Sequence, residues 1–479
     1  MNKKFRKILA IVLTLVLCTG LMAGCSGGNS AADQTIPVHV QGAIFGGNSD
    51  DDIALDLNFS MNWITKDSNT KYNANLAQFS ALLSSDIYFR EKDYAKATQN
   101  RVIADETDEA DYTVGSILGL LGFSDIEFIE SSRLAEYDTD ANDNVTMGLA
   151  YCNANEKYDV FIVTLRGCYA YTEWMSAFDI GSTSEDYIEY TGEHTEWTDT
   201  DVYKGFSVSA NRAIELINEY ISEHDDSSRK NCILVTGHSR GAGLADIIGA
   251  YFEDDKDFRS YTYAFNTPLI TSDKSAENYK TIFNVFDSSD FFANIMPFEN
   301  EKYYRYGKTL SENISNSEEI KSEIANLKGR DDYKCIDVAL ISEYEILFQD
   351  RFDSRDSLYE FKLNVQTFDS EYSAEKYYKK LVSAIGSDNG FGIDDLCTVE
   401  VRERDNGEYS VILEYCDAAI FMAYSKLLAY GDSVYSTFTN LFSFDDRACE
   451  IADFILKYRE EMSAGHLLIN SYVLTQFVE

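Results

Sequence analysis

The run Cys232-Ile233-Leu234-Val235-Thr236-Gly237-His238-Ser239-Arg240-Gly241 decides the fold of this chain. Its first half is an apolar, partly β-branched strand, and its second half is a G-x-S-x-G pentapeptide that opens a helix. Beyond it Leu244, Ile247, Ile248 and Tyr251 recur at i, i+3, i+4 and i+7, the spacing of one helical face. A strand that turns sharply into a helix lifts the serine oxygen clear of the sheet, and only glycines let the two backbones pack so closely. The pentapeptide alone says little, because Gly24-Cys25-Ser26-Gly27-Gly28 fits it too. That copy follows no β run and precedes no helix, so context selects Ser239.

The pattern on either side alternates helix and strand. Residues 75–89 and 115–122 read as helices, 159–165 as a strand apolar enough to be buried on both faces, and 206–224 as a helix. In that last helix Val208, Ala213, Ile214, Ile217 and Ile221 lie close to one stripe. Short strands follow at 261–265 and 281–286. Near-continuous apolar strands alternating with helices predict an α/β fold, a mainly parallel sheet covered by helices on both faces. Past residue 300 the character changes. A charged helical stretch at 311–328 precedes a strand at 358–365 and a helix at 373–385. A hairpin then joins 398–404 to 409–415 through Asp405-Asn406-Gly407, a strong tight-turn signal. Helices are predicted at 417–430 and 445–461. The reading is a core over 41–300, an inserted α+β module over 301–460, and a return to the core over 461–479. There is no internal repeat.

Composition narrows the function classes. The 479 residues suffice for one large or two ordinary domains, and 45% apolar content with 33 tyrosines promises an ample core. The net charge is −40. A surface this acidic repels phosphate backbones and argues against a nucleic-acid partner. The N-terminus reads as an address. Lys3, Lys4, Arg6 and Lys7 precede an apolar run at 8–17, too short for an ordinary membrane span. Leu21-Met22-Ala23-Gly24-Cys25 then resembles a bacterial lipoprotein cleavage box, in which the cysteine receives a diacylglyceryl group and becomes the mature N-terminus. On that reading 1–24 is a signal peptide and 25–40 a Gly/Ser/Asn/Ala-rich tether. The protein is then expected outside the cytoplasm, anchored to the cell membrane through lipid on Cys25. With Cys18 in the signal segment and Cys25 set aside, the remaining cysteines, Cys152, Cys168, Cys232, Cys335, Cys397, Cys416 and Cys449, are odd in number and scattered, with no C-x-x-C and no zinc-like cluster. Residues 138–144 begin like a calcium loop but lack glycine at its sixth place and glutamate at its twelfth. No metal or cofactor is expected.

Serine at neutral pH is a poor nucleophile. It needs a base, the base needs an orienting acid, and the oxyanion needs backbone donors. On a strand–turn–helix of this kind the order is serine, then acid, then histidine. Of His39, His194, His224, His238 and His466, only His466 leaves room for an acid between itself and Ser239. His238 should pack beside the turn, and His194, among Glu193 and Glu196, should be solvated. Asp290 lies just past the strand that ends near 286, where loops at the carboxyl ends of strands build such sites, and Asp287 is its rival.

Four segments resemble the class 3 (fungal-type) lipase family of α/β-hydrolases. Val163-Thr164-Leu165-Arg166-Gly167-Cys168 with Trp174 is similar to its strand ending in Arg-Gly-Thr/Ser before a tryptophan. Tyr203-Lys204-Gly205-Phe206 is similar to its His-x-Gly-Phe step into a helix, and 235–245 to its serine turn. Tyr263-Ala264-Phe265-Asn266-Thr267-Pro268, with Asn284, Asp290 and Pro297, resembles its Phe-x-x-Pro strand and Asn…Asp…Pro loop. The resemblance implies an α/β-hydrolase acting on lipid or other carboxylic esters, with Ser239 as nucleophile, Asp290 as acid and His466 as base. It also implies the backbone N–H groups of Cys168 and Arg240 as oxyanion donors. Tyr171, Trp174, Met175 and Phe178 form an i, i+3, i+4, i+7 stripe where that family carries a lid; an ordinary core-facing helix is the competing reading. Cys168 replaces the family's small hydroxyl residue. Arg240 stands where leucine is usual and brings a cation that could orient an anionic substrate. The separation of 176 residues between Asp290 and His466 exceeds the family's habit because of the insert. A non-catalytic surface-anchored binding protein on the same scaffold is the alternative.

Overall fold

The computed structural model describes residues 34–48, 51–89, 114–131, 145–168, 202, 204–224, 226, 228–294, 303–342, 361–385, 397–404, 406–416, 423–424, 426–428, 430–442 and 446–478. Strands β1 (Gln34–Gln41) and β2 (Asp52–Phe59) form a two-stranded antiparallel sheet. A seven-stranded sheet follows: β3 (Ser124–Ser131), β4 (Val145–Asn155), β5 (Tyr158–Leu165), β6 (Lys230–His238), β7 (Phe258–Phe265), β8 (Ile282–Asp287) and β9 (Lys308–Glu312). Its spatial order is the sequence order. β3, β4 and β5 pair antiparallel, and every pairing from β5 to β9 is parallel. Strands β10 (Phe361–Phe368), β11 (Cys397–Glu403) and β12 (Tyr409–Cys416) form a third, antiparallel sheet in the order β10-β12-β11.

The helices that matter here are α1 (Ala74–Asp86), α2 (Lys204–His224), α3 (Arg240–Asp254), α4 (Glu318–Lys328), α5 (Glu371–Ile385), α6 (Asp432–Phe442), α7 (Asp446–Gly465) and α8 (Leu468–Leu474). The pleat of β6 shows how they divide. Ile233 and Val235 join the apolar cluster of α2 and α3, whereas Cys232 and Leu234 join that of α1, α4, α8 and the β1–β2 pair. Leu244, Ile247, Ile248 and Phe252 of α3 are wholly buried, each contributing about 1.5–3 kcal/mol by its removal from water. α1 starts at Asn73, whose side chain accepts from the N–H groups of Asn75 and Leu76, a cap that contributes about 1 kcal/mol. The fold is therefore α/β, a mainly parallel sheet covered by helices on both faces, as the pattern predicts.

Three differences from the sequence reading have physical causes. β1 begins at Gln34, within the stretch read as tether, because Ile53, Leu55, Leu57 and Phe59 of β2 alternate inward and need a partner strand. The stretch at 311–328 is not one helix. Its first residues end β9, a 3-10 turn follows at Ile314–Asn316, and α4 starts only after Ser317, whose Oγ accepts from the Ile320 N–H. The main sheet thus continues past residue 300. Apolar residues of α5, α6 and β12 pack with those of α7, and α7 leads the chain back to the main sheet.

Candidate active site

The parallel register aligns the carboxyl ends of four strands, with Leu165 opposite Gly237, His238 opposite Phe265 and Phe265 opposite Val285. Loops leaving that edge build the site. Ser239 lies between β6 and α3 with φ 58° and ψ −125°, a left-handed backbone costing a non-glycine residue about 1–3 kcal/mol. The turn is held by the Ser239 N–H donating to the Phe265 carbonyl, and by Ala242 and Gly243 N–H groups donating back to the Ser239 carbonyl. The glycines are there for space. A methyl at Gly237 would lie 2.3 Å from the Gly241 carbonyl oxygen, and one at Gly241 would lie 2.4 Å from that of Leu165.

His466 follows α7 directly. Its Nε2 is 2.8 Å from Ser239 Oγ, and its Nδ1 is 2.8 and 3.0 Å from the two oxygens of Asp290. A carboxylate only accepts, so the proton sits on Nδ1, and Nε2 is left to accept from the serine hydroxyl. Asp290 is wholly buried. Its Oδ2 accepts from Asn266 Nδ2 at 2.7 Å and its Oδ1 from the N–H of Phe292 at 3.0 Å. The ring of Phe292 meets that of His466 edge-on, and Phe291 packs on Phe454 of α7. Asn470 clasps the end of α7, donating to the Ala464 carbonyl at 2.8 Å.

The rival acid is occupied. Asp287 accepts from the Tyr333 hydroxyl at 2.6 Å and from the N–H groups of Ser289 and Ile314, and burial raises its pKa. Gly167 touches the serine turn, since a methyl there would lie 3.2 Å from Ser239 Cβ, which puts Cys168 one residue from the site. The Arg240 side chain does not face a substrate. It is buried, with Nη2 donating to Ser209 Oγ of α2 at 2.6 Å, because the first turn of α3 directs it between the two helices. Contrary to the expectation from its motif position, the guanidinium is therefore not placed to orient an anionic substrate. Tyr171, Trp174, Met175, Phe178, His194, Cys25 and residues 138–144 lie outside the described residues.

Several supporting residues went unread in the sequence. Asn266, at φ 54°, holds Asp290 and accepts from Ser471 Oγ at 2.8 Å. An asparagine closing an apolar strand is a usable signal, since asparagine tolerates the left-handed region. Buried Arg305 bridges the carbonyls of Thr267 and Ala293 on either side of Asp290 and stacks over Phe286; burial lowers its pKa to about 10. Nothing in the sequence pairs Arg305 with those carbonyls.

The comparisons bear on this same segment. Residues 162–300 match the family model for lipase (class 3). No curated protein matches the chain. Among solved structures, M37 lipase is 13% identical, with 46% of this chain and 69% of that one covered at a TM-score of 0.31. A propeptide complex of Rhizomucor miehei lipase is 16% identical, covering 50% and 67% at 0.32. A triacylglycerol lipase from Penicillium expansum is 15% identical, covering 42% and 75% at 0.29. The stretch from the end of β5 through the Ser239 turn and Asp290 thus matches the class 3 lipase family model, within a mainly parallel α/β fold.

Proposed function

We propose that this protein is a lipase-like serine hydrolase of carboxylic esters. The observation that carries the reading is the hydrogen-bonded chain from Ser239 Oγ through His466 to buried Asp290. Ser239 Oγ attacks the acyl carbonyl as its proton passes to His466 Nε2. Asp290 holds the ring and stabilises the imidazolium. The tetrahedral oxyanion accepts from the backbone N–H groups of Cys168 and Arg240, each such donor supplying about 3–4 kcal/mol of transition-state stabilisation. Collapse returns the proton to the departing alkoxide and leaves an acyl-serine. Water, deprotonated by His466, then releases the acid and restores Ser239. Acylglycerols or phospholipids are the proposed substrates, on the strength of the family match over 162–300.

The test is product analysis with purified protein on tributyrin and on a short-chain phosphatidylcholine. Free fatty acid should appear and should fall about 10⁴-fold or more with Ser239→Ala. Undiminished release by that variant would end the mechanism. Folded protein that releases no acid from any ester would favour the binding-protein alternative.

We also propose export and anchoring by lipid on Cys25, supported by the basic start, the short apolar run and the Leu21–Cys25 box. Cys25→Ala should move the protein from the membrane to the soluble fraction. Unchanged membrane association would count against the anchor.

A further inference from the structure

The ester chemistry leaves one histidine of the site unused. His238 is buried at 2% exposure beside Ser239, its ring centre 4.9 Å from that of His466. Its Nε2 lies 3.2 Å from the main-chain oxygen of His466, and its Nδ1 lies 2.9 Å from the Tyr88 hydroxyl. A carbonyl oxygen only accepts, so the His238 proton must be on Nε2, and Nδ1 must accept from Tyr88. Burial, then the neighbouring His466 ring, hold the His238 pKa well below its ordinary value, which keeps this neutral form in place.

What the bond fixes is specific. His466 lies just past the last turn of α7, where regular helical hydrogen bonding has ended, between Gly465 and Leu467. Its N–H is held by the Ser463 carbonyl at 3.3 Å, and its own carbonyl is held by His238. Those two bonds orient the peptides on either side of the Cα from which the imidazole hangs. Tyr88 extends the connection, because a methyl at Gly167 would lie 2.0 Å from its hydroxyl. Tyr88 and His238 therefore join the turn before Cys168 to the peptide of His466.

We propose that His238 is a positioning residue, which through its Nε2 proton aims the imidazole of His466 at Ser239. The proposal rests on the hydrolase reading of the site. Three variants separate the two bonds of His238. His238→Gln keeps an N–H donor long enough to reach the His466 carbonyl, His238→Asn keeps only an acceptor for Tyr88, and His238→Leu keeps neither.

The experiment measures ester hydrolysis per active site, titrated with a fluorophosphonate, and assigns the protonated nitrogen of His238 by ¹⁵N-histidine NMR on the parent protein near neutral pH. His238→Asn and His238→Leu should lower kcat about ten- to a hundredfold with KM within about twofold, the scale of a misplaced catalytic group. His238→Gln should restore most of that loss. The NMR spectrum should place the proton on Nε2. A purely structural histidine would lower the yield of titratable sites without changing kcat per site, and that result would overturn the proposal. So would a proton on Nδ1. If the parent hydrolyses no ester, the hydrolase reading falls, while the nitrogen spectrum still decides whether His238 donates to the His466 carbonyl.

Discussion

Asn266 offers the sharpest quantitative test of how the acid is held. It is wholly buried, stands at φ 54°, donates to Asp290 Oδ2 at 2.7 Å and accepts from Ser471 Oγ at 2.8 Å. Asn266→Gly removes both side-chain bonds but accepts the backbone angle. A buried hydrogen bond to a charged group contributes about 1.5–3 kcal/mol, so a loss of that order is expected. Asn266→Ala should cost about 1–2 kcal/mol more than glycine, because its Cβ opposes the left-handed conformation. Asn266→Asp keeps the volume and tolerates the angle, yet sets a second carboxylate against Asp290. Like charges at that distance force one carboxyl to stay protonated at neutral pH, which weakens the support Asp290 gives the imidazolium. A fall in kcat of about 10²- to 10⁴-fold is expected, against the roughly 10⁴-fold cost of replacing a triad acid. Urea unfolding measures the first two variants, and ester hydrolysis per titrated site measures the third. Alanine no worse than glycine, or an aspartate variant with full kcat, would refute the reasoning.

Three further outcomes follow from the same geometry. Gly241→Ala places a methyl 2.4 Å from the Leu165 carbonyl oxygen, a backbone atom that cannot rotate away. It should destabilise the protein by about 1–3 kcal/mol or more and lower activity, whereas Gly329→Ala, with open space around it and φ 66°, should cost only about 1–2 kcal/mol, read as melting temperatures. His238, lowered in pKa by burial, gives a stability term that is complete above about pH 6.5 and lost as the pH falls, because the unfolded chain takes the proton first. Urea midpoints between about pH 7 and 5 should fall less steeply in His238→Gln than in the parent; equal slopes would contradict this. Arg240→Gln should lower stability while leaving the ratio of kcat/KM for anionic and neutral esters unchanged, because the guanidinium is buried against Ser209. Loss of a preference for anionic esters would contradict that burial.

The strands fully wrapped by helices were the legible ones. β5, β6, β7 and β8 are short apolar runs flanked by helical stripes, and a parallel sheet demands that pattern. β2 escaped because Asp52, Asp56 and Asn58 alternate with its buried residues and dilute the local hydropathy, although its period of two is plain in DIALDLNF. The edge strand β3, with Asp125, Glu127 and Glu130 among its apolar residues, was missed likewise. The serine turn was readable because its chemistry is local. The meeting of Ser239 with His466 is not local, since α7 must return the chain across a long insert before the ring can be aimed. Motif order and the scarcity of histidine gave the expectation, but the supports of that ring come from Asn266, Arg305, Asn470 and Tyr88, whose roles depend on contacts across as many as 205 residues. Arg240 was misread for a related reason: motif position reveals that a side chain is near a serine, not which way the first helical turn points it.

The most direct test of the account is covalent labelling of the protein by a fluorophosphonate, alongside Ser239→Ala and His466→Ala. The geometry predicts labelling of the parent at Ser239, none in Ser239→Ala, and a rate about 10³-fold or more slower in His466→Ala. Labelling that disappears with Ser239→Ala yet persists at the parent rate in His466→Ala would contradict the claim that this distant histidine activates the serine.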